Sequence, residues 1–195
     1  MEFEKKYLTD LVNGKVKGEL PPFASGQWEE VDSYLKRVVG RLKDIKAISV
    51  VADFDHYGSG FSSYVPLNLS KRDQSDVEIT EKGAERTEKT NGLILYLCRL
   101  APIAIYGEGT WWNTFKMEKW QSGSASFLTS EVIETTPVTD WSAALVQINA
   151  ILNQFGIRTL TQATVNQKLD FKINIPTILS DPPYKVFDCF FYWED

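Results

Sequence analysis

The chain has 195 residues, 43% of them hydrophobic and 13% aromatic, which is enough for one sizeable core. Its charged content of 24% excludes global disorder, and its net charge of −5 has the wrong sign for a nucleic-acid binder, which neutralises phosphates with excess Lys and Arg. Residues 1–99 hold 15 basic against 16 acidic side chains and residues 100–195 hold 6 against 10, so the second half carries most of the acidity and suits a basic partner.

Along the chain, residues 2–13 predict a short helix with Phe3, Tyr7, Leu8 and Leu11 on one side, ended by Gly14, Gly18 and Pro21-Pro22. A stronger helix is expected over residues 27–46, where Trp28, Val31, Leu35, Val38, Val39, Leu42 and Ile45 draw one apolar stripe. Glu29 and Glu30 in its first turn and Arg41, Lys43 and Lys46 in its last suit the helix dipole. Residues 48–54 and 61–69 read as strands joined by the Gly58-Ser59-Gly60 turn. Residues 70–91, with 11 charges of both signs, read as a solvated loop or a short exposed helix. Residues 93–97 and 103–106 are two apolar strands around Ala101-Pro102, and 111–116 with 124–128 suggest a hairpin turning at Gln121-Ser122-Gly123-Ser124.

A second confident helix spans residues 141–153, where Trp141, Leu145, Ile148, Leu152 and Phe155 keep core-facing spacing, with Thr139 or Asp140 as N-cap and Gly156 at C′. A weaker helix follows over residues 161–169, and the tail is expected to be a strand. The expected fold is therefore a single α+β domain over residues 1–195, a mostly antiparallel sheet with helices packed on one face. The N-terminal residues carry acids and no apolar stretch, and the longest apolar region is broken by Arg99 and Pro102, so the chain reads as soluble and cytoplasmic, with no membrane partner.

Catalytic equipment is sparse. The single histidine sits in Asp53-Phe54-Asp55-His56-Tyr57-Gly58, and on a strand Asp53 and Asp55 would share a face near the imidazole. Such a trio can hold a divalent cation or position a water. The alternative is a solvated strand end whose Asx side chains help the following turn, and it is preferred because no second cluster supplies further ligands. Cys98 and Cys189, each inside an apolar run, read as buried reduced thiols. Gly58-Ser59-Gly60 and Gly107-Glu108-Gly109 lead into strands rather than helices and read as turns, not phosphate loops. No cofactor or metal is expected.

Aromatic residues carry the remaining signal. Trp111, Trp112 and Trp120 fall within ten residues, and Trp111 and Trp112 take opposite faces of one strand. Either one of them is a candidate for a recognition surface or, as is preferred, a helix layer covers one face and residues 70–91 the other. The tail, Val186-Phe187-Asp188-Cys189-Phe190-Phe191-Tyr192-Trp193-Glu194-Asp195, is aromatic enough to demand burial or a partner, since an apolar β-prone segment left free invites aggregation. Together with the helix over residues 141–155 and Gly156-Ile157-Arg158-Thr159-Leu160, this tail resembles bacterial immunity proteins of polymorphic or contact-dependent toxin systems. The resemblance covers roughly the last 55 residues and carries over no functional residue. It implies a non-enzymatic inhibitor that binds a cognate toxin directly, and mild acidity would steer it to a basic one. Asp53, Asp55, Glu108, Trp111 and Trp112 are the expected partner-binding residues, combining acid and aromatic character near strand ends. Two alternatives stand beside it: a small hydrolase or metal-dependent enzyme using Asp53, Asp55 and His56, and a carbohydrate- or peptide-binding module on the Trp111-Trp112 face.

Overall fold

The computed structural model describes residues 2–195. Helices α1 (Lys5–Val12) and α2 (Trp28–Lys43) precede strands β1 (Ile48–Ala52), β2 (Phe61–Ser62), β3 (Tyr64–Lys71), β4 (Val77–Lys82), β5 (Glu85–Cys98), β6 (Ile103–Lys116) and β7 (Lys119–Ala125). There follow α3 (Ser142–Gln154), β8 (Arg158–Thr159), α4 (Gln162–Val165), α5 (Val186–Phe190) and β9 (Trp193–Glu194). The main sheet runs β1-β3-β5-β6-β7 with antiparallel neighbours; β4 pairs with the outer part of β5, and β8 pairs with β6 in parallel. The α+β class with a mostly antiparallel sheet is thus established. No helix among the described residues is long and apolar enough to cross a membrane.

Strand alternation builds two cores on one sheet. Val65, Leu67, Leu69, Leu93, Leu95, Leu97 and Ala104 meet the α2 stripe and Ala144, Ile148 and Leu152 of α3. Their neighbours Tyr64, Ile94, Tyr96, Cys98 and Ile105 face the other way, against α1 and the C-terminal segment. The two long helices share one face, as their stripes predict, and the opposite face is closed by α1 and the aromatic tail. Both cysteines are free and buried, and burial pushes each thiol up to about 12.

The tail departs from the expected strand. Residues 186–192 are buried without interruption, and a strand with one buried face cannot do that. One helical turn solves the problem: the Asp188 carboxylate accepts the Lys185 N–H at 2.7 Å and the Ser180 hydroxyl at 2.7 Å, so the charge enters the interior already satisfied. Beyond α5 the chain extends, and β9 pairs with β2. Ser63 stitches the two segments: its N–H donates to the Tyr192 carbonyl at 3.0 Å, while its hydroxyl donates to the Phe190 carbonyl and accepts the Tyr192 N–H, each at 2.8 Å. Gly60, at φ +63°, lies so close to the Glu194 carbonyl that any side chain would collide with it.

Residues 70–91 are not a loop or a helix. They contain β4 and the first half of β5, which pair from Val77↔Thr90 to Lys82↔Glu85 around a turn with Gly83 at φ +64°. The β6–β7 hairpin turns at Met117 and Glu118, both with positive φ, instead of at residues 121–124, which lie inside β7. Two left-handed central residues match the twist of the strands they join. The strand expected over 48–54 stops at Ala52, and that over 61–69 is interrupted at Ser63.

Candidate functional site

The spine of the molecule is the β5–β6 hairpin, paired without a bulge from Leu97↔Ala104 out to Glu85↔Lys116. Its inner half lies between the two cores, and its outer half, with β4 and β7, extends away from the helices. The exposed large apolar side chains of this extension are Trp112 (37% exposed), Trp120 (61%) and Met117 (75%), joined by Ile79. Alternation places Trp112 on the α2–α3 side, opposite Lys89 and Ser124. Trp120 sits opposite Phe115 on the other side, with its indole N–H 3.4 Å from the Asn113 side-chain oxygen. Met117 stands at the tip between them. A strand layer that leaves such side chains uncovered has the composition of a contact surface, where Trp and Met are enriched.

Among the expected site residues, the structure brings together two groups and separates them by the sheet. Glu108 and Trp112 share the α2–α3 side of β6. Trp111 faces the other side and, contrary to expectation, is only 9% exposed: it is a core residue whose ring covers Gly92, where any side chain would strike it. Trp111 nevertheless forms part of the wall of a hollow of about 320 Å³ that also involves Val51, Asn68, Ser70 and Trp120. Asp53 lines an adjoining hollow of about 260 Å³ with Tyr57, Tyr96 and Phe127. Val51 belongs to both hollows, and it comes from the sheet edge opposite β7, so the sheet curls until its two edges face each other.

Asp53, Asp55 and His56 are not on a strand. Asp53 accepts the Asp55 N–H at 2.7 Å and the Tyr57 N–H at 3.1 Å, one on each carboxylate oxygen, and so shapes the loop after β1. Asp55 is exposed. The His56 Nδ1 accepts the Ser62 N–H at 2.9 Å and lies 3.3 Å from the Arg99 guanidinium. Burial, and then the Arg99 charge, hold the imidazole below its ordinary pKa, so it stays neutral with its proton on Nε2. Among the described residues no group of three or more His, Cys, Asp and Glu is arranged to hold a metal ion.

Arg99, which in the sequence only interrupts an apolar run, organises this corner. Its side chain is fully buried, and its donors reach Asp32 Oδ1 at 2.9 Å and the carbonyls of Ser62, Tyr64 and Phe54 at 3.0, 2.6 and 2.9 Å. A planar five-donor fork can satisfy that many acceptors at once; an ammonium cannot. Beneath the hollow, the Tyr57 hydroxyl donates to that of Tyr64 at 3.1 Å, Tyr64 stacks on Tyr96 at 4.1 Å, and the Tyr96 oxygen accepts the Leu128 N–H at 3.0 Å. Burial raises the pKa of all three phenols, which keeps this floor neutral. In the sequence Trp120 stands out only as a neighbour of Trp111 and Trp112, not as an expected site residue, and Met117 does not stand out at all. Trp120's exposure is legible only once the turn is placed at Met117-Glu118.

No protein-family model matches the chain, and neither a curated protein nor a solved structure matches it at a significant level.

Proposed function

We propose that this protein is a non-enzymatic inhibitor of the bacterial immunity type, which neutralises a cognate toxin by binding it through the outer half of the β4–β7 sheet. The observation that carries this reading is the set of exposed Trp112, Trp120 and Met117 side chains on a strand extension with no helix over it. Large, rigid aromatic side chains supply much contact area for little lost rotamer freedom, which is why they dominate binding energy at protein interfaces. The acidic excess of the chain favours a basic partner and fast, salt-sensitive association. Cytoplasmic action belongs to the same proposal. The test is co-expression with the product of the adjacent upstream gene, scored for host survival and co-purification; rescue from a toxic neighbour with a stable complex supports the reading, and a harmless neighbour with no complex removes it.

A second reading is favoured by the hollow between the sheet edges. Trp111 and Trp120 with Asn68, Asn113 and Ser70 offer aromatic faces beside amide and hydroxyl groups, the chemistry that holds a sugar ring or an extended peptide. Quenching or shift of tryptophan fluorescence on titration with oligosaccharides would distinguish it from the toxin reading.

A further inference from the structure

On the α2–α3 side of the sheet, a groove of about 650 Å³ lies between β4–β6 and residues 126–139. Three carboxylates line it, Asp76, Glu78 and Glu108, and no Lys or Arg does. Its floor is a polar row running across three strands: the Asn91 amide donates to Glu78 Oε1 at 2.9 Å, and the Thr110 hydroxyl donates to the Asn91 oxygen at 3.1 Å. Thr129 and Thr139 stand at its walls.

Asp76 is the unusual member. It is only 4% exposed, and its Oδ2 accepts the Lys71 N–H at 2.8 Å, but its buried Oδ1 has no hydrogen-bond partner. A buried carboxylate oxygen without a donor is costly, and such atoms are uncommon in folded proteins. Burial accordingly raises the pKa of this group. Among the described residues, the two nearby ammonium groups leave Asp76 and Glu108 without an ion pair. Lys71 reaches the Asp140 carbonyl and lies over the Trp141 ring, and Lys89 pairs with the other oxygen of Glu78 at 3.5 Å. The groove therefore presents negative charge and a fixed polar floor, with an unfilled acceptor buried beside it.

We infer that this groove receives an arginine side chain of a protein partner, with the guanidinium facing the carboxylates of Asp76, Glu78 and Glu108. The inference rests on the reading of the chain as a binder of a basic protein, and it supplies that reading with an anchor. A guanidinium fits the demand because it carries several donors in one plane and loses less on desolvation than an ammonium. Trp112 lies on the same side of the sheet, so an arginine in the groove and an aromatic contact at Trp112 fall within one interface. Such a pairing of charged anchor and aromatic neighbour is common where binding energy concentrates.

The test uses the isolated full chain and does not require the toxin. Backbone amide shifts are followed by NMR during titration with N-acetyl-arginine amide, its neutral citrulline counterpart, and spermidine, up to tens of millimolar. The expected result is a saturable shift at Asp76, Asn91 and Thr110 with the arginine amide, none with citrulline, and weaker binding of spermidine. Asp76→Asn, which keeps an acceptor for Lys71, should weaken arginine binding about tenfold or more. If that variant loses its folded spectrum, Glu108→Gln, at an exposed position, decides by the same readout. No saturable shift, an equal response to citrulline, preferential binding of spermidine, or unchanged affinity in a folded variant would each overturn the inference. Arginine binding in the absence of any toxic neighbour would leave the groove standing while the toxin reading falls.

Discussion

The two halves of the β5–β6 hairpin share one hydrogen-bond ladder and differ in almost everything else. In the inner half, residues 93–98 of β5 and 103–105 of β6 are buried, with leucines turned to α2 and α3 and Ile94, Tyr96, Cys98, Ile103 and Ile105 turned to the tail. In the outer half, the corresponding positions are threonines, charged residues and exposed tryptophan, held by cross-strand pairs such as Thr87 with Thr114 and Lys89 with Glu78. Exposed pairs of this kind each contribute roughly 0.2–1 kcal/mol, whereas a buried leucine contributes roughly 1.5–3 kcal/mol. Folding free energy is therefore concentrated at the inner end, and the outer end is free to carry a surface chosen for contact.

The largest break in that contrast should come from Arg99→Met. It removes the charge partner of Asp32 and takes a donor from each of three carbonyls, of which that of Tyr64 keeps the Ser62 hydroxyl, so urea denaturation should show a loss of about 3–5 kcal/mol. Phe190→Ala, at the centre of the tail cluster with Phe3, Tyr7 and Phe191, should cost about 3 kcal/mol or more in the same measurement. A smaller effect is expected from acid. The folded His56 titrates below its ordinary 6.5, so the unfolded chain binds more protons as pH falls through that value. The His56 contribution should make stability decline from about pH 6.5 downward and level off below the folded pKa, and denaturation of a His56→Gln variant should lack this component. Smallest of all, Trp120→Ala should change stability by no more than about 0.5 kcal/mol, because its ring is largely in water. A loss as large as that of Phe190→Ala would erase the distinction between the two halves.

The inner half was legible in the sequence. The α2 and α3 stripes, the Gly156 cap and the apolar strands around Pro102 all follow periodicities that burial imposes, and the structure keeps them. Most of the outer half was not, because β4 and β7, exposed along nearly their whole length, have no apolar alternation to betray them. Its signals were instead the threonines and β-branched residues of 77–90 and the Gly83 turn, outweighed by eleven charges in the surrounding stretch. The Met117-Glu118 turn lacks the Asn-Gly chemistry that usually marks left-handed pairs, so the Gly123 region drew the turn instead. The tail's burial was legible from its composition, but its helical turn was not, since that depends on Ser180 and Lys185 satisfying Asp188. Of the candidate site, Trp112 and Glu108 were found in the sequence, while Trp120 and Asp76 needed the register of β6–β7 and the depth of the β3–β4 turn.

The most direct test of the account is a paired measurement on the double variant Trp112→Ala, Trp120→Ala: its urea midpoint, and its rescue of a host expressing the product of the adjacent upstream gene. The account predicts a midpoint close to the parent's together with lost rescue and lost co-purification, as expected when aromatic anchors worth about 2 kcal/mol each are removed from an interface. Full rescue by the folded double variant, or a midpoint that collapses, would contradict the assignment of the outer sheet to binding.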